Sequence, residues 1–221
     1  MSGECDGQKR QTGCSVGGPT WDLEGEVRCC IEREDGEGEG KEAQRGELLI
    51  VPTGALKVVG KGGGDTLIGY DGNDTYYVRV TSDQVIETPT GGVWDTVYAY
   101  VDFTLPANVE AMVLNLNTLH GTGNAAANAL YAQGASDVLT GGGGGDIFLL
   151  HAGFGNASIT DFKSAEGDII DLHNTFSTFG QLQANTQQVG ANAVITWTGQ
   201  DVLTLQNVTA SLLTAADFHL S

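Results

Sequence analysis

The sequence predicts an all-β protein: a parallel β-solenoid built from short stacked coils and closed by a C-terminal β-rich cap. Three observations carry that expectation. Glycine is abundant and proline scarce, 33 against 4 in 221 residues, where ordinary chains carry about 7% glycine. From residue 51, short apolar runs rich in Thr, Val, Tyr and Leu alternate with turn residues, the texture of strands rather than helices. Above all, aspartate returns at a fixed step. "DTLI" (Asp65), "DTYY" (Asp74) and "DQVI" (Asp83) stand nine apart, and so do Asn128, Asp137 ("DVLT") and Asp146 ("DIFL").

The nine-residue unit explains itself physically. In "GGGGGDIFL" (141–149) six residues make a turn, for which glycine supplies backbone conformations with positive φ. The last three make a short strand whose middle residue, Phe148, points inward. Stacked units bury a column of Leu67, Tyr76, Val85, Leu139 and Phe148, which no single unit could hide. With two units per full coil, residues 18 apart lie above one another, so Asp65 falls over Asp83 and Asn128 over Asp146. Carboxylates stacked about 5 Å apart repel unless a cation stands between them. Calcium accepts six to eight oxygens in irregular geometry, main-chain carbonyls included, whereas magnesium demands a smaller and stricter shell. The expected bound ion is therefore Ca2+.

Along the chain, residues 1–50 are acidic, include the run "EREDGEGEGKEAQRGE", and show no sustained period; they are expected to be disordered. Residues 51–150 form the solenoid, with repeat clusters at 51–86 and 123–149. Between the clusters, residues 87–122 lose the step of nine but still alternate. Val97, Val101, Phe103, Leu105, Val109, Val113, Leu114 and Leu116 are their expected core. In 151–221 the glycines thin out, the text reads as antiparallel strands and turns, and "SLLTAADFHLS" suggests a short helical turn before a last apolar patch.

The unit G-G-x-G-x-D-x-apolar-x resembles the nonapeptide of RTX (repeats-in-toxin) proteins, which bind calcium in a parallel β-roll. Residues 141–149 match at every defined position, through Gly141, Gly142, Gly144 and Asp146. Residues 60–68 match at Gly60, Gly63, Asp65 and Leu67, with Lys61 departing, and residues 69–77 match at Gly69, Gly72, Asp74 and Tyr76, with Tyr70 departing. Asp71 lies within that second turn and joins the expected ligand set. The units holding Asp83, Asn128 and Asp137 keep less of the pattern. "ITDFKSAEGDIIDL" and "DVLTLQNVTASLLTAADFHL" resemble the closing region of serralysin-type proteases and mannuronan epimerase modules. That resemblance implies a cap with an uncleaved type I secretion signal, engagement of the type I secretion machinery, and further calcium ligands at Asp161 and Asp168.

Composition narrows the function. A formal charge of −18 makes nucleic-acid binding improbable, because the phosphate backbone would be repelled. No apolar run is long enough for a membrane span, and "MSGECDGQKRQTGC" lacks the apolar region of an ordinary secretory signal. All four cysteines fall at Cys5, Cys14, Cys29 and Cys30, so the main body does not depend on disulfides. The four histidines share no metal spacing, and neither H-E-x-x-H nor G-x-S-x-G occurs. Asp95 and Glu110 could do acid–base work, but nothing in the sequence orients them. The expectation is a non-enzymatic, secreted, extracellular bacterial module that folds on calcium after export. The alternatives are a calcium-dependent polysaccharide-binding or adhesion module, with Trp94 and Trp197 as stacking candidates, and the non-catalytic tail of a secreted enzyme.

Overall fold

The computed structural model describes residues 41–43, 48–50, 55 and 57–220, apart from 117–118, 173–174 and 198–199. Strands from successive half-coils alternate between two faces. One face is a nine-stranded parallel sheet, in the order β1 (Lys41–Ala43), β3 (Lys57–Gly60), β5 (Thr75–Val78), β7 (Thr96–Ala99), β9 (Ala111–Leu114), β11 (Ala129–Ala132), β13 (Ile147–Leu150), β15 (Ile169–Asp171) and β19 (Phe218–His219). The other face is in two pieces. Strands β2 (Leu48–Ile50), β4 (Thr66–Ile68) and β6 (Gln84–Ile86) form a three-stranded sheet. A seven-stranded sheet begins at β8 (Phe103–Thr104) and runs through β10 (His120–Thr122), β12 (Val138–Thr140), β14 (Asn156–Ile159), β18 (Asp201–Leu205), β17 (Asn192–Trp197) and β16 (Thr186–Val189). Among the described residues, only the pairs β16–β17 and β17–β18 are antiparallel. The fold is the predicted parallel β-solenoid.

Register follows the repeat. Thr66 pairs with Gln84, and Ala129 with Ile147, each 18 residues on. The middle residue of each short strand faces inward, and Leu67, Tyr76, Val85, Leu139 and Phe148 are all buried. Each such side chain contributes roughly 1.5–3 kcal/mol of burial, and stacking makes the column continuous. Where the step of nine fails, the coil persists with turns of other lengths: Thr75 pairs with Thr96, and Thr96 with Ala111. Val97, Leu105, Val109, Val113 and Leu114 are buried there, with Val101 and Phe103 packed at the margin. Leu116 departs from its expected place in the core and is exposed, because it lies past the end of β9.

At both ends the coil extends beyond the expected bounds. Before residue 50, β1 pairs in parallel with β3 and β2 with β4; residues 1–40 lie outside the described residues. After residue 150 the chain is not simply antiparallel. Strands β14, β15 and β19 continue the parallel stack, and β18 joins β14 in parallel before the β16–β17–β18 meander turns back. A short helix, α1 (Phe179–Ala184), tucks Leu182 inward and is capped by Thr178, whose side chain accepts the Gln181 N–H. Residues 210–219 form two 3₁₀ turns, Ala210–Leu212 and Ala215–Asp217, and then β19.

Candidate metal centre

Along one edge of the solenoid, the residue just before each of strands β5, β7, β9, β11, β13 and β15 carries a polar or acidic side chain: Asp74, Asp95, Glu110, Asn128, Asp146 and Asp168. These groups form a ladder between coils. The N–H of Asp74 donates to Asp95 Oδ1 (2.6 Å), and that of Asp95 to Glu110 Oε2 (2.7 Å). The N–H of Asn128 donates to Asp146 Oδ1 (2.8 Å), and that of Asp146 to Asp168 Oδ1 (2.9 Å). The opposite edge repeats the device, with Asp65 N–H donating to Asp83 Oδ1 and Leu119 N–H to Asp137 Oδ1. The other side-chain oxygen often closes the residue's own turn, as Asp83 Oδ2 does by accepting from Arg79 and Val80, and Asp137 Oδ2 from Gly134. Bonds from backbone N–H to carboxylate are charge-assisted. They explain why a short acidic residue recurs where turns enter strands.

At one place the ladder concentrates charge. Asp74 and Asp95 come from neighbouring coils, and Glu87, just past β6, reaches in from the far side of the turn. All three are buried, and one carboxylate oxygen from each lies within 4.8 Å of the others. The Tyr76 hydroxyl, buried beside them, donates to Glu87 Oε1. Gly69 leaves the needed room, since a Cβ there would collide with Asp74 Oδ2, Glu87 Oε1 and the Tyr76 hydroxyl. Burial, with the charges of Asp95 and Asp74 adding to it, pushes the Glu87 carboxyl up to about 7 despite the tyrosine's hydrogen bond. Burial also raises Asp95, helped by the Glu110 charge, and raises the Tyr76 phenol well above its ordinary range.

A second concentration lies at Asp146, which burial and then the charges of Asp168, Asp161 and Glu166 push up to about 6. Asp161 accepts the N–H groups of Gly141 and Gly142 through its two oxygens, and Asp168 accepts from Asp146 and Lys163. A Cβ at Gly141 would collide with Asp146 Oδ2. In both places the donors are all oxygen and acidic, and burial makes Glu87 and Asp95 in the first, and Asp146 and Asp168 in the second, resist ionisation. That donor set fits a hard divalent cation such as calcium, which lowers the cost of charging them.

The expected ligand residues are thus dispersed along two edges. Asp65 and Asp83 with Gly60 stand on one, Asp74 with Gly69 on the other, and Asn128 and Asp146 farther along that second edge. Asn128 directs its Nδ2 to the Val109 carbonyl and its Oδ1 to the Asn124 N–H. Gly63, Gly72, Gly142 and Gly144 all adopt positive φ, while Asp71 is exposed and lies outside the buried trio. Sequence reasoning did not place Glu87, Asp95 or Glu110 among the ligands. Asp95 carries the aspartate–x–apolar signature, but a 21-residue coil removes it from the step of nine. Glu87 has no repeat signature, and only the fold brings it in.

No protein-family model matches the chain. It is 34% identical over 175 residues to the endo-1,3-1,4-beta-glycanase ExsH of Rhizobium meliloti, a match covering 71% of this chain and 35% of that protein. It is 32% identical, over the same shares, to the endo-1,3-1,4-beta-glycanase EglC of the same organism. The chain therefore spans about a third of the length of the curated relatives it matches. Among solved structures, it is similar to the extracellular lipase LipA of Serratia marcescens (TM-score 0.48, 14% identity, 84% of this chain and 41% of that one). It is also similar to a subunit of the Azotobacter vinelandii mannuronan C5-epimerase (TM-score 0.30, 20% identity, 84% of this chain and 86% of that one). The two glycanases overturn the expectation of a non-enzymatic module, since the curated relatives the chain matches are named as enzymes.

Proposed function

We propose that this chain is the calcium-binding β-solenoid of a secreted polysaccharide-cleaving enzyme, and that calcium orders it outside the cell. The observation that carries the reading is the buried trio Asp74, Glu87 and Asp95, whose carboxylates converge within 4.8 Å. These three would hold one ion. Asp146, with Asp168 and Asp161 beside it, would hold another, and the Asp65–Asp83 pair is the next candidate. The RTX-like nonapeptides support the same ion, and the glycanase relatives support the polysaccharide. No helix among the described residues is long and apolar enough to cross a membrane.

The function that follows is a folding switch. Where calcium is scarce, the stacked carboxylates repel and the coil is loose enough for type I export. At extracellular calcium, roughly 10⁻⁴–10⁻³ M for modules of this kind, the bound ions supply positive charge to the turns. Binding to the folded form alone then adds stability by mass action. The test is a calcium titration of the full chain and of Asp146→Ala and Asp95→Ala, followed by far-UV circular dichroism. Each substitution is expected to raise the calcium concentration at half-folding, and midpoints equal to that of the unaltered chain would refute the assignment.

A further inference from the structure

Trp94 immediately precedes Asp95 of the acidic trio, yet it is 49% exposed, and its neighbour Val93 is 81% exposed. On the adjoining turn Tyr70 is 38% exposed. The two turns are stacked. Gly72 N–H donates to the Gly91 carbonyl, Val93 N–H donates to Asn73 Oδ1 (3.1 Å), and a Cβ at Gly91 would run into the Tyr70 carbonyl. Tyr70, Val93 and Trp94 therefore share one edge of the solenoid, on neighbouring coils.

Tyr70 is also out of place by the logic of the repeat. It occupies the second position of its unit, where residues 141–149 have Gly142. Gly142 takes φ +96°, and Tyr70 takes φ +63° at the equivalent point. A left-handed backbone is ordinary for glycine and strained for a bulky side chain. Strain of this kind persists only where the surrounding structure holds it, and it clusters at binding and active sites. Here the strained residue is an aromatic ring presented to solvent beside an exposed tryptophan.

Charge selects the kind of ligand. Residues 69–78 and 87–98, which form these turns, contain Asp71, Asp74, Glu87 and Asp95 and no lysine or arginine. With no cationic side chain in these turns and Asp71 exposed on them, an anionic polymer finds no partner even when the buried trio is neutralised, whereas a neutral sugar ring offers an apolar face for stacking and hydroxyls for Asn73 and Asp71 to meet. We infer that the exposed face of Tyr70, Val93 and Trp94 binds a neutral β-linked glucan chain, its sugar rings stacked on the two aromatics. The inference rests on the polysaccharide part of the proposed function and is independent of the calcium part.

Affinity electrophoresis of the full chain in calcium tests it, with soluble 1,3-1,4-β-glucan in one gel and a polyuronate in another. The glucan is expected to retard the chain and the polyuronate is not. Trp94→Ala is expected to weaken glucan binding about tenfold, the scale of one lost aromatic contact. Tyr70→Gly is expected to weaken binding while raising the urea midpoint, a pairing that a merely structural tyrosine would not give. The inference is overturned if the glucan leaves the chain unretarded, if Trp94→Ala binds as well as the parent, or if polyuronate is held as tightly as glucan. A chain that binds glucan through Trp94 but ignores calcium would support this inference and refute the folding switch. A chain ordered by calcium that ignores glucan would do the reverse.

Discussion

Replacing Glu87 with glutamine should invert its effect on stability between calcium-free and calcium-loaded protein. The carboxylates of Asp74, Glu87 and Asp95 lie within 4.8 Å of one another, so each ionised pair opposes folding by about 3 kcal/mol at an effective dielectric near 20. The same scale comes from Glu87 alone: raising its carboxyl from 4.5 to about 7 corresponds to about 3 kcal/mol of resistance to ionisation. Glutamine removes that charge and keeps an oxygen to accept the Tyr76 hydroxyl. At pH 8 in chelator, Glu87→Gln should therefore be about 2–3 kcal/mol more stable than the parent, or about 1 M higher in urea midpoint at a slope near 2 kcal/mol per M. In saturating calcium the variant has lost a ligand and should unfold at lower urea than the parent. Equilibrium urea unfolding under both conditions reads the crossing. A variant weaker than the parent in chelator, or equally responsive to calcium, would refute the idea that this trio stores repulsion for calcium to relieve.

Acid should act as a partial substitute for calcium. Glu87 and Asp146 are raised from 4.5 to about 7 and from 3.8 to about 6, so the folded state holds protons that the unfolded state has released. The stability tied to those protons is present below pH 4 and is lost as pH rises through 6 to 7. Urea midpoints in chelator should therefore fall between pH 5 and pH 8, and a rise across that interval would contradict the burial assigned to these groups. Relief of the left-handed backbone at Tyr70 should make Tyr70→Gly about 1–2 kcal/mol more stable in thermal or urea unfolding, and a loss of stability would show that the ring is packed for the fold. Gly141→Ala places a methyl against Asp146 Oδ2 and the ring of Phe148. It should raise the calcium midpoint and weaken the coil together, and an unchanged calcium titration would count against Asp146 as a ligand.

The coil itself was legible because its signal is local. Nine-residue spacing put Leu67, Tyr76, Val85, Leu139 and Phe148 on the inward column, and every one is buried. The middle third was readable in type but not in register, since coils of 21 and 15 residues replace the 18 set by paired nonapeptides. Those irregular coils placed Asp95 over Asp74, and no count of nines could have done so. Glu87 was hidden for another reason: it follows a strand instead of preceding one, and only the curl of the turn carries it to Asp74. The parallel return of β18 beside β14 joins residues about 46 apart, and pairing at that separation leaves no periodic trace in the chain. The link to enzymes was legible only as the alternative of a secreted enzyme's tail, because the chain covers only 35% of the glycanases it matches.

The most direct measurement of the central claim is a far-UV circular dichroism titration of the full chain with calcium, with magnesium as the control. The account expects a cooperative gain of β signal in calcium, with its midpoint in the range of extracellular modules, and little response to magnesium. A spectrum already fully β in chelator and unmoved by calcium would contradict it.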